Sequence, residues 1–553
     1  MPAHQSHALP AGEYPLLIKQ LLLTPLAQAP DQEIVYRDVI RYSYRTLRER
    51  IGRLASALAR LGVQHGDTVA ILDWDSHRYL ECFFGVPMMG STLQTVNVRL
   101  SAQQILFTLA QAEPKVLLVH EDFRPVIEDM LAQLPSVRHV VRLSDDAEPS
   151  GTDYESLLAS ADAHYPFADF DENTRATLFY TSGTTGMPKG VYYSHRQLVL
   201  HTLAVAAAFA MPRDQGRFHR GDVYMPITPM FHVHAWGMPY VATMMGVKQV
   251  YPGRYTPDGL LALRTREGVT FSHCVPTILR MLLDQADASH TDLSGWKVVV
   301  GGASFPSSLA RSALGKGMDV FAGYGMSETC PFIVSAQVET DQALCDAEPV
   351  LSARVAAGRA VPLVDVQIVD DQMTPIAQGS GRPGEVVLRA PWLTPGYFRN
   401  ESASAELWRG GYLHTGDIGT LDHSGYLRIT DRLKDVIKTG GEWLSSYKLE
   451  ELICRHPHVK EAAVIGLPDP RWGERPAALV VADPTVSPAL DERAIRGHLH
   501  AFVDAGEIPK YAVPEKIYFV ESLARTSVGK YNKKLMRDQY LTVVEARHGE
   551  TGA

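Results

Sequence analysis

The sequence predicts an α/β protein: a large N-terminal domain of parallel sheets with flanking helices, a β-barrel-like subdomain, and a small C-terminal α+β domain. Three observations carry this prediction. Helix-patterned and strand-patterned segments alternate from Tyr44 to about Val119, as parallel strands with helical crossovers require. After about Pro362 the texture changes to short strands cut by Gly and Asp turns. A polar junction, Asp431-Arg432-Leu433-Lys434-Asp435, then precedes a last run of helix and strand patterns. A chain of 553 residues is also too long for one ordinary core. The expected domains are 1–433, with a β-rich part at about 362–433, and 434–553.

The elements follow in order. Ser43-Tyr44-Arg45-Thr46-Leu47 opens a helix whose Leu54, Leu58 and Leu61 recur at helical spacing. Gly62 and the Gly66-Asp67 turn end it, and Thr68–Leu72 reads as a buried strand. Tyr79–Gly90 is helical and Lys115–Val119 is a strand. Val269–Ser272, Lys297–Val300 and Asp319–Ala322 repeat the pattern, each a β-rich run beside a helix-like segment. Asp365–Val369, Gly384–Leu388, Tyr412–His414 and Tyr426–Thr430 form the β-rich part, as a barrel or meander. Ser446–Arg455, Glu461–Gly466, Ala477–Ala482, Leu490–Val503 and Lys516–Phe519 supply the small domain.

Composition narrows the functional classes. Hydrophobic residues make up 45% and charged residues 21%, as in globular chains. A net charge of −9 leaves no global footprint for nucleic acid or an anionic membrane. Five scattered cysteines without a CxxC pair argue against a disulfide or zinc framework and for a reducing cytoplasm. The N-terminus lacks a basic start followed by an apolar core, so no signal peptide is expected. The most apolar stretches, near Leu198–Met211 and Val223–Val250, are interrupted by His, Pro and Gly. They read as buried core rather than membrane spans.

The strongest chemical signal is Tyr180-Thr181-Ser182-Gly183-Thr184-Thr185-Gly186-Met187-Pro188-Lys189-Gly190. Seven of these eleven residues are Thr, Ser or Gly, and the run follows the apolar Thr177–Phe179. Small residues let backbone N–H groups turn inward around an anion, hydroxyls add donors, and one lysine adds charge. The composition suits a polyphosphate, and the spacing is not that of a Walker loop. A flexible Ser/Gly loop would rarely add Pro188-Lys189-Gly190.

This segment resembles the phosphate loop of the acyl-adenylate-forming superfamily: acyl-CoA synthetases, adenylation domains of peptide synthetases and firefly-type luciferases. The resemblance runs from about Tyr44 to Arg537, and further motifs appear in the family's order. It implies that Thr181, Ser182, Gly183, Thr184, Thr185, Gly186 and Lys189 hold the phosphates of ATP. In Tyr324-Gly325-Met326-Ser327-Glu328-Thr329 it implies that the ring of Tyr324 packs on adenine and Ser327 meets the α-phosphate. Glu328, with Thr184, would hold Mg²⁺. Gly302 and Ala303, in Gly301-Gly302-Ala303, would lie against adenine and the acyl chain. Asp417, in Tyr412-Leu413-His414-Thr415-Gly416-Asp417, would bind the ribose hydroxyls, as a carboxylate accepting from a vicinal diol can.

The same resemblance gives Arg432 a ribose or phosphate contact and makes Lys434 the hinge of a mobile small domain. Gly440 and Gly441 would line the entry of the coenzyme A thiol. Lys530, in Arg525-Thr526-Ser527-Val528-Gly529-Lys530, would bridge the substrate carboxylate and the α-phosphate. A cation there offsets the repulsion between two anions. Relatives usually have Pro before that Arg, where this chain has Ala524, which puts the rigidity of the loop in doubt.

On the acyl side, His232 in Pro229-Met230-Phe231-His232-Val233-His234-Ala235-Trp236 fits the position beside the carboxylate. Trp236 lies where some bacterial fatty acyl-CoA synthetases carry a gating tryptophan; plain core is the alternative. If the segment is a strand, His232 and His234 share a face, but no third metal ligand accompanies them. Gly379-Ser380-Gly381-Arg382-Pro383-Gly384 satisfies GxGxxG, yet it precedes a strand and contains Pro383. It therefore reads as a β-turn loop.

The resemblance is nearest to bacterial medium- to long-chain fatty acid–CoA ligases. It implies ATP, Mg²⁺ and coenzyme A as partners of a small carboxylic acid, and a homodimer formed through the N-terminal domain. Membrane contact would be peripheral. An aryl, branched or sulfur-containing acid, a carrier-protein acceptor, and a non-catalytic relative remain as alternatives. The presence together of Lys189, Glu328, Asp417, Arg432 and Lys530 argues against the last.

Overall fold

The computed structural model describes residues 12, 14–145, 153–181, 187–211, 217–338, 342, 344–440, 442–483, 490–525 and 531–549. Two large sheets form the N-terminal part. The six-stranded sheet runs in the order 139–143, 116–120, 68–72, 92–95, 175–181 and 189–194. Its first five strands are parallel, and only the last, Lys189–Ser194, is antiparallel to its neighbour. The nine-stranded sheet runs 359–360, 332–335, 319–325, 297–301, 271–274, 223–226, 248–251, 33–36 and 40–43. It is parallel at its centre and antiparallel at both edges.

Local chemistry explains the elements between them. Ser43 caps the helix Tyr44–Arg60 by accepting from the Thr46 amide, and Leu47, Ile51, Leu54 and Leu58 bury one stripe. The helix His77–Met88 is buried on every side. Its two embedded charges are paired: Glu81 accepts from Arg50 at 2.6 Å, and Arg78 donates to Asp73 at 2.9 Å. Burial of such ions is tolerable only with partners of this kind. Among the described residues no helix is long and apolar enough to cross a membrane.

The β-rich part is a four-stranded antiparallel meander, Asp365–Val369, Gly384–Arg389, Leu413–Leu421 and Leu427–Arg432. Thr415-Gly416-Asp417, which resembles an ordinary turn in sequence, lies inside the third strand. Gly416 adopts φ +67° there, a conformation that Gly permits at little cost. Beyond Lys434 a mixed five-stranded sheet is built on the long antiparallel pair Val459–Asp469 and Gly473–Ala482, with Lys516–Phe519 parallel to the latter. It carries its own core of Leu449, Leu452, Ile453, Val464, Val480 and Leu499, separate from the large core that spans both N-terminal sheets.

The strand that delivers Tyr324 is anchored at its start. Asp319 accepts from Arg354 at 2.7 Å and from Arg217 at 2.9 Å, and both arginines are almost fully buried. Asp319→Leu leaves two buried guanidiniums without their carboxylate, though each keeps backbone carbonyl partners, so we expect a loss of about 3–5 kcal/mol, read as a fall in the denaturant midpoint. An unchanged midpoint would show that the arginines find other partners.

Candidate active site

The nucleotide-site residues are gathered by two strand ends and the meander. Asp319–Gly325 runs into a 3-10 turn, Ser327–Thr329. Its pairing with Phe332–Ser335 shifts register at Tyr324/Gly325. A Cβ on Gly325 would lie 1.6 Å from the Pro331 carbonyl oxygen, so only glycine lets the backbone fold back here. Thr329 braces the turn by accepting from the Met326 amide at 3.0 Å. Next to this, Lys297–Gly301 ends at Gly302, with φ +78°, and Ala303.

Across the gap, Asp417 and Arg432 are cross-strand partners in the meander. The Tyr324 hydroxyl donates to Asp417 Oδ2 at 2.8 Å, and Arg432 Nε lies 3.3 Å from Asp417 Oδ1. Burial, and then the charge of Asp417, push the Tyr324 phenol well above its ordinary range, so it serves as a neutral donor. These groups line a cavity of about 620 Å³ with Gly302, Ala303 and Tyr447 on its walls. Tyr447 comes from Ser446–Cys454, the first helix after the polar junction at 431–435. The volume lies in the range of nucleotide and cofactor sites.

The hairpin expected to carry the phosphate loop packs against the turn that carries Glu328, where Tyr193 donates to the Ser327 carbonyl. Thr181 ends one strand, Lys189 begins the next, and the two are register partners. Ser182, Gly183, Thr184, Thr185 and Gly186 lie outside the described residues, as do Gly441 and Lys530. Glu328 is buried, and Tyr397 donates to its Oε1 at 2.7 Å. The Lys189 ammonium sits over the Tyr397 ring, 4.6 Å from its centre. The Ser327 carbonyl accepts from Tyr193 at 2.6 Å.

Among the described residues no group of three His, Cys, Asp or Glu could hold a metal ion. A buried carboxylate with one oxygen clear of Tyr397 nevertheless fits Mg²⁺, which often takes one carboxylate plus phosphate oxygens and water.

Two site residues of the small-domain side stand apart from this cavity. Lys434 is exposed at the junction. Gly440 donates its amide to the Trp472 carbonyl at 2.8 Å, in the turn between Ile437–Thr439 and Glu442–Leu444. Neither lines the cavity. What ties the small domain to the meander is Asp431, which accepts from the Ser446 amide and hydroxyl at 2.5 and 2.8 Å. Lys533 donates to the same Ser446 hydroxyl and pairs with Glu450, both at 2.6 Å.

The acyl-side motif departs from the strand geometry considered above. Val233, His234, Ala235 and Trp236 all have positive φ, from +48° to +59°, which makes one left-handed turn. Such a turn is unfavourable for L-residues, at about 1–2 kcal/mol each, and persists only where packing dictates it. His232 and His234 therefore do not share a strand face. His234 is fully buried, and neither ring nitrogen has a hydrogen-bond partner. Its ring meets Phe83, Phe179 and Tyr240, and burial pushes its pKa down to about 3. Trp236 lies against His273, with centroids 5.0 Å apart, and under Gly301, where a Cβ would be 3.1 Å from the indole.

Sequence reasoning missed Tyr193, Tyr397 and Tyr447. Each works through a contact between segments distant in the chain, and no local spacing marks them.

Models of two families match the chain: AMP-binding enzyme over residues 24–398 and AMP-binding enzyme C-terminal domain over residues 448–530. The chain is 40% identical to a long-chain-fatty-acid–CoA ligase of Thermus thermophilus, over 92% of this chain and 93% of that one. It is 36% identical to a 3-methylmercaptopropionyl-CoA ligase of Ruegeria lacuscaerulensis, over 95% and 97%. Among solved structures, ATP-bound MatB from Rhodopseudomonas palustris superposes with a TM-score of 0.82 at 26% identity, over 96% of this chain and 100% of that one. The chain belongs to the AMP-binding enzyme family. Its enzyme class is the AMP-forming acid–CoA ligases, which use ATP with Mg²⁺ and take coenzyme A as co-substrate.

Two outcomes follow from this geometry. Gly325→Ala must push the Tyr324–Glu328 backbone away from Pro331, so we expect adenylation to fall at least tenfold, measured as pyrophosphate release; an unimpaired rate would contradict the close approach. The second concerns Asp75, which accepts from the Met230 amide at 2.6 Å beside the aromatic motif. Burial pushes its pKa up to about 7. The folded value lies above the unfolded one, so Asp75 contributes stability below about pH 4 and loses it as pH rises through 7. Asp75→Asn keeps a neutral acceptor. Its stability relative to the parent is expected to improve by about 1–4 kcal/mol between pH 5 and 8.5, by denaturant titration; a gap independent of pH would refute this.

Proposed function

We propose that this enzyme converts a medium- to long-chain fatty acid to its coenzyme A thioester through an acyl-adenylate. The observation that carries the reading is the cavity in which Tyr324, Asp417 and Arg432 converge beside Glu328 and Lys189. Tyr324 would face adenine, Asp417 and Arg432 the ribose, and the hairpin from Thr181 to Lys189 the phosphates. Glu328, with Thr184, would hold Mg²⁺, which when bound neutralises phosphate charge. A carboxylate oxygen of the acid attacks the α-phosphorus, the bond to the bridging oxygen breaks, and pyrophosphate leaves. Lys530 would sit between the two anions in that step.

The second step needs a different face. Residues 434–553 would turn as a unit about Lys434, withdrawing Lys530 and presenting Gly440 and Gly441. The thiol of coenzyme A then attacks the acyl carbon, loses its proton, and AMP departs. The position of Gly440 away from the cavity supports such a movement, because thiol entry beside it requires the turn to approach. His232, Trp236 and the small residues Gly302 and Ala303 would border the acyl group.

The place of Trp236 in the large apolar core and the 40% identity to a long-chain ligase favour a fatty acid. The 36% identity to a 3-methylmercaptopropionyl-CoA ligase favours a sulfur-containing acid as the second reading. We further propose a cytoplasmic homodimer that meets membranes only peripherally.

Pyrophosphate release with coenzyme A across acetate, hexanoate, octanoate, dodecanoate, palmitate, two aryl-propionates and 3-methylthiopropanoate tests the substrate. A maximum between octanoate and palmitate is expected; a maximum on a short, aryl or sulfur-containing acid would replace the substrate class. In the same assay Lys530→Ala is expected to lose about 10²–10³ in adenylation, the scale of removing one transition-state donor. It should still transfer the acyl group from supplied acyl-adenylate to coenzyme A. Full adenylation by this variant would overturn the role of Lys530.

A further inference from the structure

Residues 392–398 form a strap that touches both halves of the phosphate-handling machinery. On one side Phe398 donates its amide to the Gly190 carbonyl at 2.8 Å, and Tyr397 bridges Val191. On the other, Thr394 donates its amide to the Glu328 carbonyl at 3.1 Å, and the Trp392 indole donates to the Thr329 carbonyl at 3.1 Å. Ser404 receives the Tyr397 amide at 2.8 Å and fixes the strap in place. The strap thus ties the strand leaving the phosphate loop to the turn that carries Glu328, although the two are about 140 residues apart in sequence.

Tyr397 is where the strap meets the chemistry. Its hydroxyl donates to Glu328 Oε1 at 2.7 Å, and its ring lies under the Lys189 ammonium at 4.6 Å. Among the described residues, no other side chain is hydrogen-bonded to that carboxylate. One oxygen of Glu328 is thereby fixed, while the other accepts from no described side chain. A hydrogen bond of this kind orients a metal-binding carboxylate, and losing it typically costs 10–100-fold in metal affinity or activity. The ring face gives Lys189 a seat that attracts its charge without consuming its donors. A carboxylate partner would have neutralised the lysine before it met a phosphate.

We propose that Tyr397 is a positioning residue for adenylation, its hydroxyl aiming Glu328 at the metal and its ring holding Lys189 toward the phosphates. The proposal rests on the reading of Glu328 as the metal-binding acid. Tyr397→Phe removes the hydroxyl and keeps the ring; Tyr397→Leu removes both. The two functions are therefore separable. The hydroxyl governs the metal, and the ring governs the nucleotide.

The test counts Mn²⁺, a paramagnetic stand-in for Mg²⁺, bound to the full chain with an ATP analogue that cannot be cleaved between the α- and β-phosphates. No acid is present, so no turnover contributes. Bound Mn²⁺ is read from its electron paramagnetic resonance signal. Tyr397→Phe is expected to weaken Mn²⁺ about tenfold while leaving nucleotide affinity without metal unchanged. Tyr397→Leu is expected to weaken both. Glu328→Gln is the reference and should weaken Mn²⁺ at least as much as Tyr397→Phe. If Glu328→Gln leaves Mn²⁺ affinity unchanged, the reading of Glu328 fails. If Glu328→Gln shifts it and Tyr397→Phe stays within twofold of the parent, the role of Tyr397 fails alone. A lowered melting temperature of Tyr397→Phe with unchanged Mn²⁺ affinity would mark the tyrosine as structural and also overturn the proposal.

Discussion

The bond from Tyr324 to Asp417 is the join on which the site depends. Tyr324 ends a central strand of the nine-stranded sheet, and Asp417 lies in the third strand of the meander. Neither sheet alone encloses a nucleotide. Their contact at 2.8 Å, extended by Arg432 at 3.3 Å, joins the two sheets at the cavity wall. Because Asp417 and Arg432 are register partners, a slip of one residue between their strands would part them. Asp431, just before Arg432 on the same strand, accepts from the Ser446 amide, so this strand also meets the first helix of the small domain.

Charge placement differs between two sets of groups. Asp319 lies between Arg217 and Arg354, and Glu81 pairs with Arg50, so these ions have ionic partners. Lys189 and Glu328, the ions proposed to meet substrate, have neutral partners instead. Lys189 rests on an aromatic face, and Glu328 takes a phenol. A salt bridge in either place would have to break before the ligand could bind, at a cost comparable to what the ligand contributes. Asp417 and Arg432 are the exception, since they pair with each other and with Tyr324.

Backbone strain is concentrated in the segment that follows Pro229. Four successive residues, Val233–Trp236, are left-handed, and the two histidines of the motif separate into different environments. His234 is sealed among aromatic rings with no polar partner, and Trp236 is wedged between Gly301 and His273. A Cβ at 301 would clash first with the Gly323 carbonyl oxygen, at 2.5 Å, and then crowd the indole. The sequence placed His232 and Trp236 beside the acyl group through the family resemblance, but the left-handed turn is invisible to periodicity, which assumes ordinary backbone.

The class of fold is legible in the amino-acid order alone. Alternating periodicity, the change of texture after Pro362 and the ordered Ser/Thr/Gly, Tyr-Gly-Met-Ser-Glu and Thr-Gly-Asp segments are local properties, each readable within a dozen residues. The family resemblance carried by those segments, and by residues 431–441, also named the residues Tyr324, Asp417 and Arg432 that the structure brings together, and Glu328 and Lys189 beside them. Only the tertiary structure decided which neutral partners hold those groups, that Thr-Gly-Asp lies within a strand, and that the motif at Val233–Trp236 turns left-handed. Tyr193, Tyr397 and Tyr447 came into view only there. A hydroxyl 69 residues from the carboxylate it meets leaves no trace in local spacing. Such contacts are fixed by how whole sheets pack, and that packing is a property of the entire chain.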